Sequence, residues 1–187
     1  MNGERSVSVR IVTDRSGFSP VPFLGAFLSD GQDKPDDDAL DFSDEDDPSD
    51  PESPDTESRT GSDDAEPEHS EFFAEGTLTE DEERVTLSYE ESVLTGMEGS
   101  VTQISFLKAE PSVVTMCRNG LVDTTMVFEK GQRHLCIYNA WFTTFELCIS
   151  ALQVENRLLS TGEIELDYLT EIHGVRTERC KMKVMVE

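Results

Sequence analysis

Residues 85–90 read VTLSYE, and apolar and polar residues alternate strictly along this stretch. A period of two residues is typical of a β-strand with one buried face. A similar alternation recurs at residues 7–11, 125–129, 163–168 and 181–186. No segment of comparable length shows a competing helical period. The sequence therefore predicts an all-β protein.

Turn signals separate the predicted strands. They are Gly96, Gly99, Asn119-Gly120, Lys130-Gly131, Gly162 and His173-Gly174. Asn-Gly is the strongest hairpin signal among them, because both central residues of a type I′ turn have positive φ. Strands that recur about every ten residues with short connections are typical of an antiparallel sandwich or barrel. We expect about eight to ten strands.

The negative charge of the chain is concentrated in one insert. The formal net charge is −25, and residues 30–71 hold nineteen Asp and Glu against two basic residues, a net of −17. Such a segment, rich also in Pro and Ser, buries too little apolar surface to offset the entropy lost on ordering. We therefore predict a first strand at residues 1–16, a disordered acidic insert at residues 17–70 and the remainder of the barrel at residues 71–187.

An apolar stretch, GFSPVPFLGAFLS at residues 17–29, opens this insert. It is too short to cross a bilayer. One interpretation is a flap that packs over an open end of the barrel. The other is a docking motif for a partner protein.

Several function classes lack their sequence signatures. The chain has no Gly-rich phosphate loop and no GxSxG nucleophile elbow, and residues 41–50 lack the spacing of an EF-hand. Nucleic-acid binding requires a basic face, which a net charge of −25 opposes. We therefore predict a protein that is not an enzyme, holds no cofactor or metal and has no nucleic-acid partner.

The four cysteines, Cys117, Cys136, Cys148 and Cys180, stand singly within apolar segments. No closely spaced pair could bind zinc or exchange disulfides, so we expect them to pack as small hydrophobic residues. No stretch approaches the ~20 apolar residues of a membrane helix, and the N-terminus does not resemble a secretory signal. We expect a cytoplasmic protein with reduced thiols and no membrane partner.

A series of motifs occurs in fixed order along the chain. They are Tyr89-Glu90-Glu91-Ser92, Thr95-Gly96-Met97-Glu98-Gly99, Arg118-Asn119-Gly120, Met126-Val127-Phe128-Glu129-Lys130-Gly131, Tyr138 and residues 162–168. This order resembles the YwiB-like family of small bacterial proteins, over residues 71–187 and the strand at residues 6–14. The resemblance implies a calycin-like, lipocalin-like antiparallel β-barrel of unassigned biochemical role.

The chain departs from the family pattern at two places. Where the family reads Tyr, any residue, Thr-Pro-Tyr-Gly, this chain has YNAWFT at residues 138–143, which lacks the tight Pro-Gly corner. The long acidic insert is also not typical of the family. Unrelated activities occupy the same barrels, so the resemblance transfers the fold rather than a function.

Five polar or aromatic residues in the matched motifs are candidates for a site at the barrel mouth: Tyr89, Arg118, Glu129, Tyr138 and Tyr168. Ligand pockets are mostly apolar with a few convergent polar groups. The competing interpretation is structural, with buried tyrosines filling the core and an Arg–Glu pair near the turns. We predict a non-enzymatic binding module for a small apolar or amphipathic ligand.

Two alternatives remain open from the sequence. In the first, the acidic insert recruits a basic partner protein, with Leu40 and Phe42 as apolar anchors, while the barrel serves as a scaffold. In the second, the barrel mouth carries an uncharacterised enzyme activity.

Overall fold

The computed structural model describes residues 3–17, 67–95, 97–140, 143–172 and 174–187. The predicted disordered insert and its apolar opening stretch lie, over residues 18–66, outside the described residues. Strand β2 begins at Glu68, so the first residues of this strand belong to the segment that the sequence assigned to the insert.

Ten antiparallel strands form a closed barrel in the described part of the chain. Each strand pairs with its neighbours in sequence, and β1 closes the barrel by pairing with β10. This confirms the predicted antiparallel all-β barrel, at the upper end of the expected strand number. The strands are β1 Gly3–Gly17, β2 Glu68–Glu80, β3 Arg84–Glu90, β4 Val101–Leu107, β5 Glu110–Asn119, β6 Val122–Glu129, β7 Arg133–Ala140, β8 Thr143–Arg157, β9 Glu163–Ile172 and β10 Val175–Val186.

Two short helical segments interrupt the strands. A 3-10 turn at Val93–Thr95 lies between β3 and β4, and helix α1 spans Leu158–Thr161 between β8 and β9. Gly162 ends α1 in the left-handed conformation, with φ 77°. The alternation in the sequence did not indicate either segment, since each covers only about one helical turn.

Side chains from every strand fill the barrel interior over most of its length. The alternation that predicts the strands also fixes which residues point inward, because successive side chains of a strand point to opposite faces. Val85 and Leu87, for example, are fully buried, whereas Thr86 and Ser88 between them are partly exposed. The largest side chains that are less than 2% exposed are Phe128, Ile11, Leu87, Ile104, Met116, Met126, Leu147, Ile149, Ile164, Val9, Val85 and Val114.

One end of the barrel collects most of the buried polar side chains, and we call it the polar end. Because the strands alternate in direction, the odd-numbered strands finish at this end and the even-numbered strands start there. The last residues of β1, β3, β5, β7 and β9 therefore all lie at the polar end. Gly17 and Glu68, which bound the segment between β1 and β2, belong to it as well.

Strands β2 and β3 diverge toward the polar end. β2 pairs with β1 along its whole length but pairs with β3 only from Gly76 to Glu80. A methyl group on Gly76 would lie 2.8 Å from Cγ2 of Val9 and 2.9 Å from the carbonyl oxygen of Ser88. Only glycine therefore fits where the two strands begin to separate.

Candidate functional site

Four of the five predicted site residues converge at the polar end. The strand register aligns Tyr89 with Thr102, Thr102 with Arg118, Arg118 with Thr124 and Thr124 with Tyr138. The five residues aligned in this way therefore form one row across β3 to β7. Each has the inward parity of its strand, so the row lines the barrel interior.

Tyr168 joins the cluster from the other side of the barrel. It lies on β9, is aligned with Cys180 of β10, and Cys180 is in turn aligned with Arg15 of β1. The phenol ring packs edge-on against Phe128, with ring centroids 4.9 Å apart. The polar end therefore has two halves, which face each other across the interior.

A buried ion pair joins Arg118 to Glu91. Nε of Arg118 lies 3.6 Å from Oε1 of Glu91, and the two side chains are only 11% and 1% exposed. Oε1 also accepts a hydrogen bond of 2.5 Å from the hydroxyl of Thr102. Burial by itself would lower the pKa of Arg118, but Glu91 and the nearby tyrosines raise it, so the guanidinium keeps its charge.

Part of this ion pair has no hydrogen-bond partner among the described residues. The unpartnered buried atoms include Oε2 of Glu91, Oγ of Ser92 and Nε of Arg118. Leaving such a group unpaired costs about 1–3 kcal/mol, and more when the group is charged. Most buried polar groups in proteins are satisfied, so this cluster retains unused hydrogen-bonding capacity.

The three tyrosines of the chain all lie in this cluster, at Tyr89, Tyr138 and Tyr168. Burial raises the pKa of Tyr138 to about 12. Burial also raises the pKa values of Tyr89 and Tyr168, and the charge of Glu91 adds to the effect on Tyr89. The three phenols are therefore neutral at physiological pH and can donate hydrogen bonds.

A second charged group lies beside Tyr168. Nε of Arg15 is 4.0 Å from Oε1 of Glu178, whose side chain is 7% exposed, and Nη1 of Arg15 is 3.9 Å from the exposed Glu68. Burial raises the pKa of Glu178, although Arg15 partly opposes this effect. Burial likewise raises the pKa of Cys180 to about 11, so its thiol stays protonated.

Glu129 is the one predicted site residue that the structure does not bring to the cluster. It ends β6 at the opposite end of the barrel and has outward parity, because Met126 and Phe128 occupy the inward positions of this strand. Its carboxylate lies 3.1 Å from Nε2 of His134 on β7. Glu129 therefore lies apart from the other four predicted site residues.

A surface groove leads toward the cluster between the diverging strands. Its volume is about 700 Å³, which is within the range of ligand pockets. Glu91 and Tyr89 line it from inside the barrel. The other lining residues are Ser6, Phe73, Ala74, Glu75, Gly76, Thr77, Ser88, Glu90, Ser92 and Val101.

Sequence reasoning missed three charged residues of this end: Glu91, Arg15 and Glu178. Glu91 continues the inward alternation of Val85, Leu87 and Tyr89, so this signal was present in the sequence. Arg15 and Glu178 meet only because β1 closes the barrel against β10. No local pattern predicts that pairing.

The described residues give no indication of metal chemistry at this site. No group of three or more His, Cys, Asp or Glu side chains among them is arranged to hold a metal ion. The four cysteines are free thiols; Cys136, Cys148 and Cys180 are buried, and Cys117 is partly exposed.

None of the helices in the described ranges has the length and apolar character needed to cross a membrane.

Comparisons with known proteins agree with the fold. The model of a family described as "Domain of unknown function (DUF1934)" matches residues 55–184. The chain is also similar to the crystal structure of the ywiB protein from Bacillus subtilis, with a TM-score of 0.57 and 14% identity over 98% of this chain and 93% of that one. No curated protein matches the chain. The predicted resemblance is thus confirmed, and at this identity the structural likeness concerns the fold alone.

Proposed function

Because the chain belongs to the DUF1934 family, whose description assigns no activity, we propose a function from the site itself: a non-enzymatic module that binds a small amphipathic ligand at the polar end of the barrel. The observation that carries this proposal is the buried Arg118–Glu91 pair with its unpartnered hydrogen-bonding atoms. A ligand that accepts from Arg118 and donates to Glu91 or Ser92 would satisfy them.

The packing of the interior favours an amphipathic ligand over a wholly apolar one. Large apolar side chains such as Phe128 and Met116 are fully buried in the barrel beyond the polar end. The groove beside β2 instead combines apolar contacts from Ala74 and Val101 with the polar groups of Tyr89 and Glu91. A ligand there would place its polar group inward and rest its apolar part along the groove.

The protonation states at the polar end support binding rather than catalysis. A nucleophile requires activation by a neighbouring base or a lowered pKa. Burial instead raises the pKa of Cys180 and also that of Cys136. His134, the described histidine nearest to Cys136 in sequence, pairs with Glu129 at the far end of the barrel. These groups are suited to donating hydrogen bonds, not to attacking a substrate.

Native mass spectrometry of the protein purified from its own host tests this proposal. The wild type should carry a small-molecule adduct that denaturation releases. The double variant Arg118→Met/Glu91→Gln removes both charges together, which avoids leaving one buried ion uncompensated. We expect this variant to lose the adduct, because the polar anchor is gone.

A matched control uses an ion pair outside the barrel. Lys183 contacts Glu163 at 3.1 Å on the outer face, so Lys183→Met/Glu163→Gln should keep the adduct. The proposal fails if the folded wild type carries no adduct, or if the adduct persists in the Arg118→Met/Glu91→Gln variant.

The charge of the insert supports a second candidate function, recruitment of a basic partner protein. Residues 30–71 carry a net charge of −17, whereas the rest of the chain carries only −8. Such a segment attracts a basic protein over about a Debye length, ~8 Å at physiological salt. In this case the barrel would act as the scaffold that carries the insert.

Deletion of residues 30–66 tests this second function. The structure sets the limit at residue 66, because β2 begins at Glu68. The shorter connection should raise the free energy of unfolding by about 1 kcal/mol through its smaller closure entropy. Affinity capture from the host lysate should lose its basic partner, and a partner retained by the deletion variant would rule this function out.

A further inference from the structure

The unpaired side of β2 borders the groove of the proposed ligand site and adds a free backbone edge to it. Among the described residues, no strand pairs with residues 68–75 on the side away from β1. This run spans roughly 23 Å at about 3.3 Å per residue, which is the length of an ordinary strand. Within the described residues, this run is the part of β2 whose backbone has an unpaired edge.

The backbone of this edge points toward the groove. Ser8 of β1 exchanges both backbone hydrogen bonds with Glu187, each 3.0 Å long, so Ser8 faces β10. Successive residues of a strand face opposite neighbours, so Val9 faces β2, where it lies opposite Ala74. The alternate residues of β2 therefore direct their N–H and C=O groups away from β1. These are Glu71, Phe73 and Glu75.

The side chains along this edge alternate between apolar and acidic. Phe73 is 68% exposed, and the guanidinium carbon of Arg10 lies 5.8 Å from its ring centroid. Glu71 is neutralised by Arg10, whose Nε lies 2.5 Å from its carboxylate. Glu75 is exposed and accepts a hydrogen bond from the hydroxyl of Ser8. The outer face thus presents an aromatic ring next to a carboxylate.

A second carboxylate completes the groove. Glu90, at the end of β3, lines the groove across from Phe73 and Glu75. Glu75 and Glu90 are both exposed, so they set the sign of the charge in the groove. A partner that lies between them is favoured when it carries a positive charge.

We propose that an extended basic peptide segment of another protein adds to residues 71–75 of β2 as an antiparallel strand. Addition to an exposed edge gives affinity through main-chain hydrogen bonds and specificity through alternate side chains. An apolar residue of the peptide packs on Phe73, and a Lys or Arg two positions away lies between Glu75 and Glu90. The residue between them points inward beside Ala74.

A labelled peptide of sequence Lys-Val-Phe-Val-Lys tests this surface by fluorescence anisotropy with the full-length protein. Valine favours the extended conformation, and a lysine at either end lies two residues from the phenylalanine. We expect saturable binding that weakens at least about tenfold for Phe73→Ala, a loss of about 1.4 kcal/mol. Leu135→Ala serves as the matched control and should bind like the wild type, because Leu135 is similarly exposed, at 61%, but lies on β7.

A charge swap tests the role of Glu75. Glu75→Lys should weaken binding of the lysine peptide at least about tenfold, and it should bind Asp-Val-Phe-Val-Asp better than the wild type does. Recovery with the reversed peptide shows that the variant is folded and that the contact is direct.

Backbone methylation tests strand addition itself. In an antiparallel pair, the residue opposite Phe73 exchanges both of its hydrogen bonds with it, whereas the next residue points away. N-methylation of the peptide phenylalanine should therefore abolish binding, and N-methylation of the following valine should not. The proposal is overturned if the peptide does not bind, if Phe73→Ala binds it as the wild type does, or if the two methylated peptides behave alike.

Discussion

Nε of Arg118 lies 3.6 Å from Oε1 of Glu91 inside the barrel, and the two side chains are only 11% and 1% exposed. This separation is too long for a hydrogen bond. The attraction therefore has to offset the desolvation of two charges without the full set of hydrogen bonds. A pair of this kind keeps two charged groups at the polar end but lowers the free energy of unfolding.

Single and double substitutions measure this coupling. Arg118→Met alone should lower the free energy of unfolding by about 3–5 kcal/mol, because it leaves the Glu91 carboxylate buried without a counter-charge. Adding Glu91→Gln should recover much of that loss. Urea denaturation at neutral pH measures all four species of the cycle.

The outer ion pair of Arg179 with Asp167 is the control for that cycle. Their closest atoms are 2.7 Å apart on the barrel surface, and such pairs couple by less than about 1 kcal/mol. Equal coupling energies for the two pairs would show that the burial of Arg118 and Glu91 has no energetic consequence.

The tyrosine cluster predicts an unusual alkaline titration. Tyrosinate absorbance of the native protein should appear well above the ordinary value of about 10. Tyr138, whose pKa burial raises to about 12, should titrate first. Tyr138→Phe should remove this first step, and the urea-unfolded protein should titrate normally.

The sign of the accompanying stability change follows from the same pKa values. The unfolded chain releases its phenolic protons near pH 10, whereas the native chain keeps them. Stability is therefore unaffected below pH 10 and falls as the pH rises from there toward the raised native value. Native tyrosines that ionise near pH 10 without unfolding would contradict the buried cluster.

The sequence was sufficient for the fold and for most of the cluster, for a physical reason. Strict alternation fixes which side of a strand is buried, so Tyr89, Tyr138 and Tyr168 could be assigned to the interior of a barrel. The same rule applied to β6 places Glu129 outside, because Met126 and Phe128 occupy the inner face. The motif that made Glu129 a candidate does not record this alternation, so it could not show that Glu129 lies apart from the cluster.

The remaining contacts depend on how the barrel closes. Arg15 is aligned with Cys180 through the pairing of β1 with β10, the first and last strands of the chain. Hydrogen-bond register between such distant segments leaves no local trace in the sequence. The same holds for the divergence of β2 from β3, which exposes the groove beside Glu91.

Gly120 lies at the polar end and Gly131 at the opposite end, and both have positive φ. Comparing their alanine variants tests the packing around Gly120. Gly120 has φ 136° and Gly131 has φ 77°. A methyl group on Gly120 would lie 2.7 Å from Cα of Ser100, whereas one on Gly131 would meet no atom within 4 Å. Both alanine variants carry backbone strain of about 1–3 kcal/mol, but only the first forces neighbouring backbone to move.

We therefore expect Gly120→Ala to lower the free energy of unfolding by at least about 1 kcal/mol more than Gly131→Ala. The hydroxyl of Ser100 also accepts a hydrogen bond of 2.9 Å from the amide of Leu121, so displacement of Ser100 would disturb this contact. Chemical denaturation of the two variants side by side gives the difference. Equal losses would mean that the connection after β5 does not pack against Ser100.

Glu178 and Asp167 should affect stability with opposite dependence on pH. Burial raises the pKa of Glu178, so its contribution is fully present below the ordinary carboxyl pKa and is lost as the pH rises through the native value. Glu178→Gln should therefore be more stable than the wild type at pH 7, and the gap should close in acid.

The hydrogen bond from Arg179 lowers the pKa of Asp167, which reverses the sign. Its contribution is present above the ordinary carboxyl pKa and is lost as the pH falls through the lowered native value. Asp167→Asn should be less stable than the wild type at pH 7, with a gap that also closes in acid. Urea denaturation between pH 3 and pH 7 compares the two variants. A destabilising effect of Glu178→Gln at pH 7 would show that attraction to Arg15 outweighs the cost of burying this carboxylate.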